Sequence, residues 1–214
     1  MILPPLYPIV DADVAAAAGW TLVDLASACL AGGATILQVR AKDAPSGWLL
    51  DTAALIVERA HAALARVVVN DRADIARLAG ADGVHLGQED LRPAAARAIV
   101  GDAADETIVG LSTHTLDQIE AALAQPVSYL AIGPVFATAT KATGYQAVGL
   151  DRVREAAGRA RTRQLPLVAI GGITLESAPG VLQAGAASVA VISDLLSGGD
   201  PERRVRAYLE RLHV

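Results

Sequence analysis

Short apolar runs rich in β-branched residues alternate along this chain with longer Ala-, Leu- and Arg-rich segments, whose apolar positions recur every three or four residues. The short runs predict strands at 7–10, 35–39, 67–70, 83–86, 108–112, 129–133, 167–171 and 188–192. The longer ones, such as 48–64 and 115–124, predict helices that cover a parallel sheet, and 201–212 reads as a final amphipathic helix. Eight evenly spaced β/α units in 214 residues fit one compact α/β domain over residues 1–214, a (β/α)8 TIM barrel. A doubly wound open sheet is the main rival, but it rarely needs eight such evenly distributed strands. No low-complexity linker, charge block or shift in composition marks a domain boundary.

Composition narrows the function. Charged residues make up 19% of the chain and the net charge is −5, so there is no basic field for a nucleic-acid backbone. The opening "MILPPLYPIVDAD" has no basic residue ahead of its apolar ones, and no uninterrupted apolar stretch reaches membrane-spanning length. A cytoplasmic protein without a membrane partner is expected. The single cysteine, Cys29, cannot form an internal disulfide and sits in a helical pattern as a small core residue. Whether copies of the chain associate as a homo-oligomer is not legible.

Sixteen of the 18 basic residues are arginine, and only Lys42 and Lys141 are lysine. A lysine supplies a compact, mobile ammonium where arginine supplies a planar fork, so both positions ask for a reason. In a barrel the chemistry gathers where strands end and βα loops begin. That rim collects Gln38, Arg40 and Lys42 after the second strand, Asn70 and Asp71 after the third, and His85, Gln88 and Asp90 after the fourth. It also collects Ser112 and His114 after the fifth and Lys141 beyond the sixth. Gln38, Arg40 and Lys42 share alternation parity and face one side if the strand persists. Such a row is costly unless an anion meets it.

Asp71 and Asp90 come from adjacent strands. Together they can hold a hard cation such as Mg²⁺ while leaving positions for phosphate oxygens, or each can simply cap the helix that follows. Glu89 reads as solvated. Gly171 and Gly172 in "AIGGIT", with Ser193 ending "AVIS", suggest a second anion site over the last two strands.

The series "QVRAKD", "VNDRADIARLAGADGVHLGQEDL", "GLSTHT", "YLAIGPVFATATK", "VAIGGIT" and "VAVIS", in this order over residues 38 to 193, resembles the motifs of the thiamine-phosphate synthase family. The resemblance implies joining of a hydroxymethylpyrimidine diphosphate to a thiazole phosphate, with release of pyrophosphate. It also implies roles. Gln38, Arg40, Lys42, Asn70, Ser112 and Lys141 match the pyrimidine diphosphate contacts, with Lys141, Arg40, Lys42 and Ser112 the catalytic set. Asp71 and Asp90 match the Mg²⁺ ligands. Thr138, Thr140, a glycine of Gly171-Gly172, Ile192 and Ser193 match the thiazole phosphate pocket. The chain departs from the pattern at Ala139 and at Asp194, whose carboxylate would repel a phosphate unless it points away. His85 and His114 are open between taking part and supporting. Tyr7 and Phe136 are the aromatics nearest the rim.

No serine-histidine-acid set or activated cysteine is evident, and departure of a diphosphate from an electron-rich aminopyrimidine needs no covalent enzyme intermediate. Three alternatives stand beside this reading. A class I aldolase would use Lys141 as a Schiff-base amine, a thiazole tautomerase would lack the diphosphate-metal set, and a phosphate-ligand sensor would bind without turnover.

Overall fold

The computed structural model describes residues 2–101, 107–137 and 146–212. Eight parallel strands close in sequence order into one barrel, as the periodicity predicts: β1 (Leu6–Asp11), β2 (Ile36–Arg40), β3 (Arg66–Asn70), β4 (Gly83–Leu86), β5 (Ile108–Thr113), β6 (Tyr129–Ile132), β7 (Leu167–Ile170) and β8 (Ser188–Val191). The open-sheet alternative is excluded, since β8 pairs with β1 through Leu6↔Val189 and Tyr7↔Ala190.

The helices around it are α1 (Ala12–Ala17), α2 (Leu22–Ala31), α3 (Ser46–Ala62), α4 (Ala73–Leu78), α5 (Pro93–Val100), α6 (Leu116–Ala122), α7 (Gly149–Arg161), α8 (Ala178–Gln183) and α9 (Pro201–Leu212). Among the described residues no helix is long and apolar enough to cross a membrane.

The alternation of side chains sorts the core into two clusters. One parity, including Leu6, Val10, Leu37, Val39, Val67, Val69, Val84 and Leu130, packs outward with the helices, Cys29 among them. The other parity fills the barrel with Tyr7, Ile9, Ile36, Val68, Ile108, Tyr129, Ala131, Val168 and Ala190. Gln38 lies on this inward parity and is buried. Continuing along β2, Arg40 shares it, but the strand ends there. Lys42 therefore falls in an exposed turn rather than on the inward row, because alternation holds only while the chain stays extended.

Candidate active site

The inward residues at the carboxyl ends of the strands open into a cavity of about 500 Å³. Eight of the residues picked out from sequence line it: Gln38 and Arg40 from β2, Asn70 from β3, Ser112 from β5, Gly171 and Gly172 after β7, and Ile192 and Ser193 after β8. Lys42, Asp71 and Asp90 stand on the adjoining loops and are not part of the lining. Lys141, Thr138 and Thr140, with Ala139, lie outside the described residues.

A chain of polar side chains crosses the cavity floor. Gln38 donates through Nε2 to the Tyr7 hydroxyl (3.4 Å), which lies 3.2 Å from the Tyr129 hydroxyl; Tyr129 in turn is 2.8 Å from Nδ1 of His85. His85 Nε2 is 2.8 Å from Ser112 Oγ. Gln38 donates at one end of this chain; in the Tyr7–Tyr129 link either hydroxyl can donate, and the roles of the two His85 nitrogens toward Tyr129 and Ser112 follow its tautomer.

Burial pushes the Tyr7 phenol up to about 12, partly offset by its bonds to Gln38 and Tyr129. Burial also raises Tyr129 well above the usual tyrosine range, with Tyr7 adding to the shift. Both stay protonated at neutral pH. The Tyr7 and Tyr129 rings meet edge to face at 5.9 Å, His85 stacks on Tyr129 at 5.5 Å and 16°, and all three line the cavity.

Of this relay the sequence reading placed Gln38 and Ser112 and left His85 open. It missed Tyr129, although Tyr129 starts a strand on the inward parity. Tyr7 is deep in the barrel rather than at the rim, and Phe136 packs among the outer core residues. His114 lines the cavity and donates through Nδ1 to the Gly133 carbonyl at 2.6 Å.

Gly110 makes room for the relay. It sits between His85 and Tyr129 in register, and a Cβ there would come within 2.2 Å of the Tyr129 ring and 2.5 Å of His85 Nδ1. Gly110→Ala is expected to cost about 1–3 kcal/mol by overpacking. Urea denaturation measures it, and an unchanged midpoint would show that the two rings can move aside.

Arg40 is held by a residue that the sequence reading did not single out. Asp11, at the end of β1 and in register with Arg40, accepts from Nη1 of Arg40 through Oδ2, while its Oδ1 caps α1 through the N–H groups of Asp13 and Val14. The signal was available as a carboxylate ending the first strand at the same rim. Arg40 Nε is buried with no hydrogen-bond partner among the described residues. A buried donor left so costs about 1–3 kcal/mol.

Asp71 and Asp90 are not the helix caps that aspartates in those places suggest. The cap residues of α4 and α5 are Arg72 and Arg92. Asp90 instead accepts from the Gly87 N–H at 2.6 Å within its own loop. Asp71 has a positive φ of +64, and among the other described non-glycine residues only Leu64 and Gln164 have a positive φ. Those two follow the ends of α3 and α7, where a left-handed residue ends a helix. Asp71 follows a strand. Its backbone N–H reaches the His85 carbonyl at 2.7 Å, tying the β3 and β4 ends together.

Gly171 and Gly172 have φ +103 and +64, and Cβ atoms on them would come within 2.6 Å of Pro134 Cα and of the Ala137 carbonyl oxygen. The glycines thus let the segment after β6 lie against the β7 loop, where Val135 and Phe136 donate to the carbonyls of Ile170 and Gly171. Close packing alone accounts for both glycines. A phosphate at this loop therefore has to be argued from the lining rather than from the glycine pair.

A family model described as thiamine monophosphate synthase matches residues 6–195. The thiamine-phosphate synthase of Koribacter versatilis is 47% identical over 213 residues, covering 99% of this chain and 97% of that protein. That of Anaeromyxobacter dehalogenans is 45% identical over 177 residues, covering 83% and 77%. Among solved structures, thiamine phosphate pyrophosphorylase from Pyrococcus furiosus superposes with a TM-score of 0.84 at 30% identity, covering 98% of this chain and 97% of that one. A 3-hexulose-6-phosphate synthase, at 16% identity and a TM-score of 0.65, shares the fold alone.

Proposed function

The chain belongs to the thiamine-phosphate synthase family and is a transferase, and from that premise we propose that it condenses 4-amino-2-methyl-5-(diphosphooxymethyl)pyrimidine with thiazole phosphate to give thiamine monophosphate and pyrophosphate. The observation that carries the proposal is the convergence on one cavity of eight residues that match the family's substrate contacts, drawn from five of the eight strands and their loops.

The C–O bond to the diphosphate breaks first, its electron pair leaving with pyrophosphate, and the aminopyrimidine supports the methylene cation. The lone pair of the thiazole nitrogen then forms the new C–N bond. Arg40, Lys42 and Lys141 stabilise charge growing on the departing pyrophosphate, and the Ser112 hydroxyl and Asn70 hold the diphosphate-bearing half. Gln38 and the flat faces of His85 and Tyr129 orient the ring. The β7 and β8 loops, with Thr138 and Thr140, take the thiazole phosphate through Gly171, Gly172, Ile192 and Ser193.

Asp71 and Asp90 suit Mg²⁺. This ion keeps several waters and commonly takes only one or two carboxylates together with substrate phosphates. Among the described residues no three His, Cys, Asp or Glu side chains cluster as an all-protein cage would require. A metal held by these two carboxylates would be completed by the diphosphate, and the left-handed backbone at Asp71 fits a residue held for function. When bound, Mg²⁺ supplies further charge compensation for the leaving group.

Purified protein given both substrates should release pyrophosphate only with Mg²⁺ present, with thiamine monophosphate identified by mass. Tight binding of thiazole phosphate without product would instead favour the tautomerase or sensor. Borohydride trapping of a carbonyl substrate on Lys141 would favour the aldolase.

A further inference from the structure

A carboxylate is out of place beside an anion site, yet Asp194 lines the cavity directly after Ser193. Its contacts explain how it is tolerated. Nη2 of Arg204 donates to Oδ1 and Oδ2 at 2.9 and 2.8 Å, and Nε donates to Oδ2 at 3.1 Å. Oδ2 also accepts from the Tyr208 hydroxyl and, at 3.2 Å, from the Leu175 N–H. Arg204 and Tyr208 lie four residues apart on one face of α9, and the guanidinium carbon is 5.7 Å from the tyrosine ring centre. The Arg204 and Asp194 side chains are 17% and 15% exposed, so their attraction is screened far less than on an open surface.

These bonds do two things at once. They saturate the carboxylate with donors from α9 and from Leu175. They also tie the loop after β7, which carries Gly171 and Gly172, to the segment after β8, which carries Ile192 and Ser193. Among the described contacts, Arg204 is the side chain that supplies the balancing positive charge.

We propose that Arg204 is a positioning residue for the phosphate end of the site: it neutralises Asp194 and keeps its carboxylate turned toward α9, so that a phosphate can settle over the β7 and β8 loops. The inference rests on the reading that these loops receive a phosphate, and its test uses inorganic phosphate so that the two can fail separately.

Calorimetric phosphate affinity should fall about tenfold or more in Arg204→Leu, where the carboxylate charge is released. Asp194→Asn, which keeps the acceptor but leaves Arg204 uncompensated, should bind phosphate more tightly than wild type. The Asp194→Asn/Arg204→Leu double variant should return to within about threefold of wild type, as expected for coupled neighbours. In turnover, Arg204→Leu should raise KM for thiazole phosphate and leave KM for the pyrimidine diphosphate little changed.

Opposite signs for the two single variants are the signature of charge. A merely structural clamp would weaken phosphate binding in both. Weaker binding in Asp194→Asn, no recovery in the double variant, or no phosphate binding by the wild type would each overturn the inference. If Arg204→Leu does not fold, the sign of the Asp194→Asn effect still decides. Phosphate binding that follows this pattern in a protein that makes no thiamine monophosphate would uphold the pair and sink the substrate assignment.

Discussion

Asp71→Asn is expected to lower the rate of thiamine monophosphate formation by about 10²–10³-fold, the usual loss when a preorganised charge-stabilising group is removed, while stability changes by less than about 1 kcal/mol. Asparagine tolerates the left-handed backbone that Asp71 adopts at φ +64. The substitution therefore removes a charge without disturbing the turn that joins the β3 and β4 ends. Alanine would confound the two, because a non-glycine residue without a polar side chain is disfavoured there. The residual activity should need more Mg²⁺ for half-saturation, as the loss of a proposed metal ligand predicts and the loss of the fold does not. Kinetics over a Mg²⁺ titration, beside urea denaturation of the same sample, read both. A rate near wild type at low Mg²⁺ would show that Asp71 is no part of a metal site, and the strained turn would then need another explanation.

The barrel was legible because strand and helix periods differ and because alternation persists through each short strand. The same alternation placed Gln38 and Arg40 on the inner face. It failed for Lys42, where β2 had already ended and no periodicity remained to follow. What the sequence hid was partnership across strands. Tyr129 belongs to the relay only because β6 lies beside β5 at Gly110, and β5 lies beside β4 at His85. No local pattern in "SYLAIG" announces a bond to a histidine 44 residues away. Asp194 is the opposite case. Its charge made it conspicuous in the sequence, but its neutralising partner sits a turn into another helix, and only the packing of α9 brings Arg204 to it. Asp71 and Asp90 could be read locally as caps, and that reading failed because Pro93 opens α5 and Arg72 precedes α4, each displacing the aspartate from the cap position.

Asp11→Leu should destabilise the protein by about 3–5 kcal/mol, the usual consequence of leaving one member of a buried ion pair alone. The Arg40 and Asp11 side chains are 12% and 3% exposed, so water cannot readily replace the lost partner. Loss of the bonds to the Asp13 and Val14 N–H groups should account for about 1 kcal/mol of this, through fraying of α1. The double variant Asp11→Leu/Arg40→Met separates stability from function. Two apolar side chains need no counter-charge, so most of the stability lost by unpairing Arg40 should return, as is common when a buried pair is replaced whole. Activity should not return with it, and should remain about 10²–10³-fold below wild type. That outcome would mark the buried guanidinium as a residue the fold can do without and the proposed reaction cannot. Urea midpoints and kcat measured on the single and double variants test this directly. A stable and active Asp11→Leu protein would mean that Arg40 is held by something other than its carboxylate partner.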